Sequence, residues 1–380
     1  MEKSDHRFFA ETYLDNRAEF RALLTKVKDY WPEACLKSHP LRGFEDQLTT
    51  EVIEAAPLRD NGLLLMLSCG LHGIEGYIGN AVIRLFAEEY LHCLNPETTG
   101  LIFASPINPW GMDKRRRVNE NNVDLNRNFI YDPQLVRDHV NARYSELELF
   151  LNPPSPLKQV RGLFFFLQLL SRYMRMGSES FREAVHMGQY VNPKGLYYGG
   201  KSFEESAVIM NNIFYNTIEP YKKVLFIDMH SGYGPRYQMT LVNSVHESRA
   251  SGDLVKEFNY PLVVKTNPEE FYQMQGDMID YFYLLMKDLY PEKPFYATSF
   301  EFGTYGDSLP AALKSLEAMI NENRVYHYGA VSAKAAEQAI ADFSELFYPL
   351  EEKWRLKAIS DARQAFHGIL KEEGFINGGS

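Results

Sequence analysis

Cysteine is scarce in this 380-residue sequence, which contains only Cys35, Cys69 and Cys93. An odd number of cysteines without Cys-x-x-Cys spacing argues against both a disulfide-stapled scaffold and a thiolate metal site. Few cysteines are typical of a protein from a reducing compartment. The first twenty residues carry charges throughout and lack the apolar core of a secretory signal. We therefore expect a cytoplasmic protein.

Positive charge is also in short supply. The formal net charge is −10, whereas binding to nucleic acid requires an extended basic surface. We therefore expect no nucleic-acid partner. A dense basic run occurs at Lys114–Arg117, and by composition alone such a run is typical of a solvated surface.

Long hydrophobic runs are missing as well. The most apolar stretch is GLFFFLQLL at residues 162–170, far shorter than the ~20 residues needed to cross a bilayer. We interpret it as a buried or capping helix; the alternative is a face that contacts a partner or a membrane surface. The composition is otherwise that of an ordinary globular protein, with 45% hydrophobic and 24% charged residues. The length allows one large α/β domain or two ordinary ones, and we expect a single domain over residues 1–380.

Strand and helix patterns alternate along the chain. A continuous apolar run predicts a central strand at residues 63–68, and apolar-rich segments predict further strands at 101–104, 224–229, 261–265 and 296–302. Apolar residues at helical spacing predict helices at about residues 8–30, 77–91 and 310–322. The alternation indicates an α/β fold with helices on both faces of the sheet. Residues from about 135 to 220 form a mainly helical insertion in this interpretation, interrupted by the proline-rich stretch 152–156.

Polar residues suited to chemistry follow the predicted strands, where open α/β sheets place their ligand sites. His72 and Glu75 follow the first strand, His230 ends the third, and Glu301 lies near the end of the last. A catalytic zinc ion takes nitrogen, sulfur or oxygen ligands and keeps one position open. His72, Glu75 and His230 would supply three such ligands. The His-x-x-Glu spacing alone is weak evidence for a metal site, because a capping or surface role explains such a spacing more readily.

Five longer motifs make the argument more specific. They are GLHGIEGYIGNA at 70–81, INPWGMDKRRRVNENNVDLNRNF at 107–129, GQYVNPKGLYYGG at 188–200, IDMHSGYGP at 227–235 and SFEFGT at 299–304. With these motifs the chain resembles the M14 zinc carboxypeptidase superfamily, and within it the DUF2817 branch, which is related to the succinylglutamate desuccinylase/aspartoacylase group. The resemblance implies a mixed, mostly parallel sheet sandwiched by helices. It also implies one zinc ion per chain at the strand ends.

The same resemblance assigns roles to residues beyond the zinc ligands. Glu301 would take a proton from the attacking water and pass it to the leaving nitrogen, which is general acid–base catalysis. Arg117 would polarise the scissile carbonyl and stabilise the oxyanion. Asn126 and Arg127 would bind a substrate carboxylate, and Asp124 would orient the first histidine ligand.

Each of these roles has an ordinary structural alternative. Glu301 could be a buried ion-pair partner, Arg127 a surface salt bridge, and Arg115 and Arg116 solvated neighbours. We interpret Asp228 as structural. The better-known peptidases close a tyrosine over the substrate, and the candidates for that residue here are Tyr197, Tyr198, Tyr272 and Tyr305.

Three functions are consistent with these patterns. The first is a metallocarboxypeptidase-like hydrolase that cleaves an amide bond next to a free carboxylate. The second is a deacylase of N-acyl amino acids, of the aspartoacylase/succinylglutamate desuccinylase type. The third is a catalytically silent binding protein, whose signature would be loss of the base. If the 135–220 insertion caps the cleft, small substrates are favoured over protein termini.

Overall fold

The computed structural model describes residues 3–377 apart from 133–140, 160–161, 178–179, 182–183, 186 and 267–274. Within these residues the strands are β1 (Cys35–Pro40), β2 (Thr49–Ala55), β3 (Leu63–Cys69), β4 (Thr99–Ser105), β5 (Lys223–Ser231), β6 (Met239–Asn243), β7 (Val263–Lys265) and β8 (Phe295–Phe302). The helices are α1 (Tyr13–Lys28), α2 (Gly76–Glu89), α3 (Pro109–Asp113), α4 (Ala142–Leu151), α5 (Gly162–Met176), α6 (Glu205–Ile218), α7 (Ser251–Glu257), α8 (Met278–Leu289), α9 (Leu309–Tyr328), α10 (Ala333–Phe347) and α11 (Glu352–Glu372).

All of these strands form one sheet in the order β1-β2-β4-β3-β5-β8-β6-β7. Strands β4, β3, β5 and β8 are parallel to their neighbours within this central group. Antiparallel pairing occurs between β1 and β2, between β2 and β4, and between β8 and β6. The predicted mixed, mostly parallel sheet is therefore confirmed, and the carboxyl ends of its four central strands lie at one edge.

Both faces of the sheet are buried. Leu65 and Leu67 of β3 point into one hydrophobic cluster, together with residues of α2 and α11, whereas Leu64 and Met66 point into a second cluster with residues of α6 and α8. Successive side chains of a strand point to opposite faces, so a strand covered on both sides has the continuous apolar sequence seen here. The predicted layers of helices on both faces are confirmed.

The apolar stretch 162–170 lies in α5, which is amphipathic. Phe165 and Leu169 are buried, whereas Phe164 is 64% exposed and Leu167 is 53% exposed. Among the described residues, no helix combines the length and the apolar character needed to span a membrane.

Candidate metal centre

The turn after β3 places two of the predicted ligands side by side. His72 is the residue before a short 3-10 helix, Gly73–Glu75, which leads directly into α2. This turn packs against α3 so closely that a Cβ atom on Gly73 would lie 2.0 Å from the carbonyl carbon of Gly111. Glycine is therefore required at position 73, and the tight packing fixes the backbone that carries His72 and Glu75.

The third predicted ligand arrives from the neighbouring strand. His230 lies near the end of β5, which pairs with β3 in parallel register. The ring centroids of His72 and His230 are 5.2 Å apart, and one ligand atom from each of His72, Glu75 and His230 lies within 4.8 Å of the other two. The three residues are at most 5% exposed. The structure thus brings these three groups together, although His72 and His230 are more than 150 residues apart in the sequence.

The surroundings of these groups suit a cation. Oε2 of Glu75 lies 3.1 Å from Nδ1 of His230 and accepts a hydrogen bond from the main-chain N–H of Ser231 at 3.0 Å. Nε2 of His230 faces Oδ2 of Asp228 at 2.7 Å, so Nδ1 is the nitrogen turned toward Glu75. Within the described part of the chain, the buried Nδ1 of His72 has no hydrogen-bond partner. A buried nitrogen without a partner is costly in a purely structural role, and imidazole and carboxylate are the donors that zinc accepts.

The surroundings of the two histidines shift their pKa values in opposite directions. Burial, and to a lesser extent the positive charge of Arg117, hold the pKa of His72 well below its usual range. Burial alone would also lower the pKa of His230, but the carboxylates of Asp228 and Glu75 outweigh it and raise the pKa well above the usual range. Asp228 therefore acts directly on His230. We had interpreted Asp228 as structural, although its position two residues before His230 on a strand already places both side chains on the same face.

Asp124 lies beside the other histidine. Its Oδ1 atom is 3.4 Å from Nδ1 of His72, and Oδ1 also accepts the main-chain N–H of Asn126. Its second oxygen accepts a hydrogen bond from Nε of Arg117 at 3.1 Å. Asp124 thus lies beside the His72 ring, and its role in orienting that ring stays a prediction.

Glu301 lies next to the ligand cluster on the adjacent strand. It pairs in register with His230 across β5 and β8, and its Oε1 atom accepts the main-chain N–H of Tyr233 at 3.0 Å. Loss of solvent and the nearby Glu75 carboxylate raise the pKa of Glu301 to about 7. A carboxylate with a pKa near neutrality is well matched to proton transfer at physiological pH.

The basic run contains a buried arginine, Arg116, and a partly buried one, Arg117, with different partners. Arg117 donates from Nη1 to Oε1 of Glu75 at 3.3 Å and lines the cleft beside the histidines. Arg116 is 4% exposed, donates to Glu322 at 2.6 Å and stacks on the ring of Tyr326. The interpretation of Arg116 as a solvated neighbour is therefore wrong. The sequence does not reveal this ion pair, because the carboxylate partner of Arg116 lies 206 residues away along the chain.

The predicted carboxylate-binding pair lies on a short 3-10 helix, Leu125–Arg127. Arg127 is 1% exposed, which rules out the surface salt bridge considered for it. Both Asn126 and Arg127 line the cleft. The side chain of Asn126 donates to Oδ2 of Asp277 at 2.9 Å and accepts the main-chain N–H of Met278 at 3.0 Å. Asp277 also faces the cleft, and no motif in the sequence marks it as a site residue.

The tyrosine candidates differ in position. Tyr197 lines the cleft and its ring centroid is 5.8 Å from Cζ of Arg127. The hydroxyl of Tyr305 donates to the main-chain carbonyl of Asp342. Tyr198 packs in the second core cluster. Tyr272 lies outside the described residues. No observation assigns a closing role to any of them.

Comparisons with known proteins give a family. The family model described as "Protein of unknown function (DUF2817)" matches residues 9–361. No curated protein matches the chain.

Solved structures show distant similarity. Bovine thrombin-activatable fibrinolysis inhibitor, solved with a tick carboxypeptidase inhibitor, is 15% identical with a TM-score of 0.47, covering 87% of this chain and 97% of that chain. Carboxypeptidase A from Helicoverpa armigera is 14% identical with a TM-score of 0.47, covering 93% and 74%. A succinylglutamate desuccinylase from Silicibacter sp. TM1040 is 12% identical with a TM-score of 0.38, covering 78% and 67%. Similarity this low transfers no function.

Proposed function

The chain belongs to the DUF2817 family, and since the description of that family assigns no activity, we propose from the site itself that the protein is a zinc-dependent hydrolase of amide bonds next to a free carboxylate. One observation carries this proposal. Two buried imidazoles and a buried carboxylate converge on one point, and a second carboxylate, Glu301, stands beside them in strand register. Such a donor set with an adjacent base is what metal-assisted hydrolysis requires.

His72, Glu75 and His230 would hold one zinc ion per chain. When bound, zinc supplies Lewis acidity, which polarises a carbonyl group and makes hydroxide available near neutral pH. The neutral state of His72, favoured by its lowered pKa, is the form that can donate a lone pair to a cation. Asp228 and Asp124 would fix the orientation of the two imidazole rings.

Glu301 would move the proton. Its pKa of about 7 allows the carboxylate to accept a proton from a water molecule and then donate it to the leaving nitrogen. The hydrogen bond from the main chain of Tyr233 to Oε1 fixes one oxygen, which leaves Oε2 as the oxygen for this transfer.

Arg117 would bind the scissile carbonyl group of the substrate, and Arg127 would bind its free carboxylate. Arg117 contacts Glu75 and therefore lies close to the cluster, where a guanidinium can stabilise negative charge developing on the scissile carbonyl. Arg127 lies in the same cleft, where its planar fork suits a carboxylate. Asn126 supports this site, since its side chain is fixed by Asp277 and the start of α8.

A second candidate function is removal of an acyl group from an N-acyl amino acid. The segment 187–200 favours it, because this segment lies against the cleft. A Cβ atom on Gly188 would be 2.8 Å from the side chain of Arg127, the hydroxyl of Tyr190 donates to the main-chain carbonyl of Arg127, and Tyr197 lines the cleft. We propose that this part of the 135–220 insertion caps the site within a single domain, which would favour small substrates over protein termini.

A substrate screen tests both candidates. Purified protein is assayed against N-acetyl amino acids and against dipeptides with free carboxyl termini, with Glu301→Gln as the inactive control. Hydrolysis by the wild type and a fall in kcat of at least about 100-fold in Glu301→Gln are expected. No hydrolysis of either substrate class would favour a silent binding protein. Equal hydrolysis by the two proteins would contradict the role of Glu301. A cytoplasmic location remains a prediction.

A further inference from the structure

A second cavity opens beside the metal cleft. It measures about 980 Å³ including its mouth and shares Tyr197, Gly232, Tyr233, Ser315 and Met319 with the cleft. Since these five residues line both spaces, the two are adjacent. A ligand group beside the metal centre therefore lies close to the second cavity.

The walls of this cavity beyond the shared residues are mainly apolar. One wall belongs to α9, where Leu313 and Leu316 are 3% and 6% exposed, and the opposite wall includes Phe181 and Val185 of the insertion. Tyr173 of α5 completes that wall, with its ring packed edge-on against Phe181 at a centroid distance of 5.5 Å. Apolar and aromatic walls of this kind bind apolar groups, because they remove apolar surface from water.

The rest of the cleft has a polar end, lined by Asn126, Asn243, Ser244, Thr266 and Asp277. Apolar residues line it as well, namely Val242, Ile279, Leu346 and Phe347. Nδ2 of Asn243 is buried and, among the described residues, has no hydrogen-bond partner. A buried donor of this kind calls for an acceptor from a ligand. The polar end therefore suits the amino-acid half of an N-acyl amino acid, which bears the carboxylate.

We propose that the second cavity binds the acyl group, and that the preferred substrates are amino acids carrying a medium-chain or aromatic acyl group on nitrogen. The proposal rests on the proposed amide hydrolase function, since that function places the scissile bond between the polar end and the apolar cavity. It adds what the metal site alone does not contain, a preference for apolar acyl groups over acetyl or succinyl groups. The inserted helix α5, together with residues 181 and 185, supplies the wall that creates this preference.

Chain length gives a direct measure of this cavity. Each methylene that passes from water into an apolar pocket improves binding by about fourfold. We therefore expect affinity and kcat/KM to rise by at least about tenfold from N-acetyl-L-alanine to N-hexanoyl-L-alanine. Alanine is chosen as the amino acid because its small side chain makes the least demand on the polar end of the cleft.

Binding and turnover are measured separately. Calorimetric titration of Glu301→Gln with N-acetyl-, N-butanoyl-, N-hexanoyl- and N-octanoyl-L-alanine reports affinity without turnover, and the wild type supplies kcat/KM for the same series. Ala312 lines the second cavity from an exposed position on α9, so Ala312→Trp fills the cavity with little risk to folding. Ala341 is exposed on α10, and Ala341→Trp is the matched control.

The outcomes separate this proposal from the proposed function. A rise in affinity with chain length that Ala312→Trp abolishes and Ala341→Trp preserves supports the acyl-binding cavity. Equal affinity for acetyl and hexanoyl compounds, or a chain-length effect unchanged in Ala312→Trp, overturns it. Graded binding without any hydrolysis by the wild type would support the cavity and contradict the hydrolase. Hydrolysis at a rate that does not depend on acyl chain length would support the hydrolase and contradict the acyl-binding cavity.

Discussion

Replacing Asp228 by asparagine tests how the protein orients His230, the third of the proposed metal ligands. Asp228 is fully buried, with Oδ2 2.7 Å from Nε2 of His230 and Oδ1 accepting a hydrogen bond from Ser68 at 2.5 Å. Asparagine keeps the volume and can still accept from Ser68, so the change mainly removes the negative charge behind the imidazole. That charge orients the ring and increases the basicity of the nitrogen on its other side.

The expected magnitude follows from this arrangement. Loss of such a carboxylate typically weakens metal binding ~10–100-fold, which corresponds to about 1.4–2.7 kcal/mol at 1.36 kcal/mol per tenfold change. We expect the zinc dissociation constant of Asp228→Asn, measured by competition with a chromophoric chelator, to rise within this range.

A matched control separates this effect from general destabilisation. Asp361 is also buried and accepts the main-chain N–H of Met239, but it pairs with Lys357 on α11 instead of a histidine. Asp361→Asn should leave the zinc dissociation constant unchanged. A wild-type dissociation constant in Asp228→Asn would refute the reasoning, as would an equal loss in Asp361→Asn.

Three further predictions concern other groups. Arg116→Ala should lower the free energy of unfolding by about 3 kcal/mol, because it leaves the Glu322 carboxylate without its partner in a largely buried ion pair. In the same denaturant titration, Arg59→Ala, which removes an exposed ion pair, should lower it by less than about 1 kcal/mol. Equal effects of the two substitutions would contradict this prediction. Burial above all raises the pKa of Asp280 to about 7 from an ordinary 3.8, so the folded state holds an extra proton and loses stability as the pH rises from about 4 to 7. The free energy of unfolding of Asp280→Asn should then exceed that of the wild type by at least about 1 kcal/mol at pH 8 and by little at pH 4. A difference that stays constant with pH would count against this prediction. Arg117→Ala should reduce kcat/KM at least about 100-fold, with partial retention in Arg117→Lys, and unchanged kinetics would remove its role at the oxyanion.

The central strands were predictable because burial on both faces leaves a simple pattern. The sequence of β3 is a nearly continuous apolar run, and those of β5 and β8 are rich in apolar residues; the structure places strands there. By contrast, β1 lies at the edge of the sheet and is largely exposed, so it has no such run. The apolar run of β2 is interrupted by Glu51, a buried carboxylate that pairs with Arg17 and Arg21 of α1. A charge made tolerable by partners 30 or more residues away cannot be recognised from local periodicity.

Part of the candidate site was likewise predictable from local sequence patterns, and part was not. His72 and Glu75 share one turn, and strand ends brought His230 and Glu301 to the same edge, so their proximity followed from local pattern and general sheet geometry. Contacts between loops that are distant in the sequence did not follow from either. The bond between Asn126 and Asp277 joins residues 151 apart, and no spacing rule relates them. The apolar cavity likewise depends on how the insertion packs against α9, which is a property of the assembled fold.

Metal analysis of the purified protein tests the central claim most directly, namely that His72, Glu75 and His230 bind one zinc ion together. The account predicts about one zinc per chain by mass spectrometry of the acid-digested protein, with loss of that zinc in His72→Ala and in His230→Ala. His367 is exposed on α11, and His367→Ala should retain the zinc of the wild type. Folded wild-type protein that binds no zinc when zinc is supplied, or His72→Ala and His230→Ala proteins that retain a full equivalent, would contradict the account.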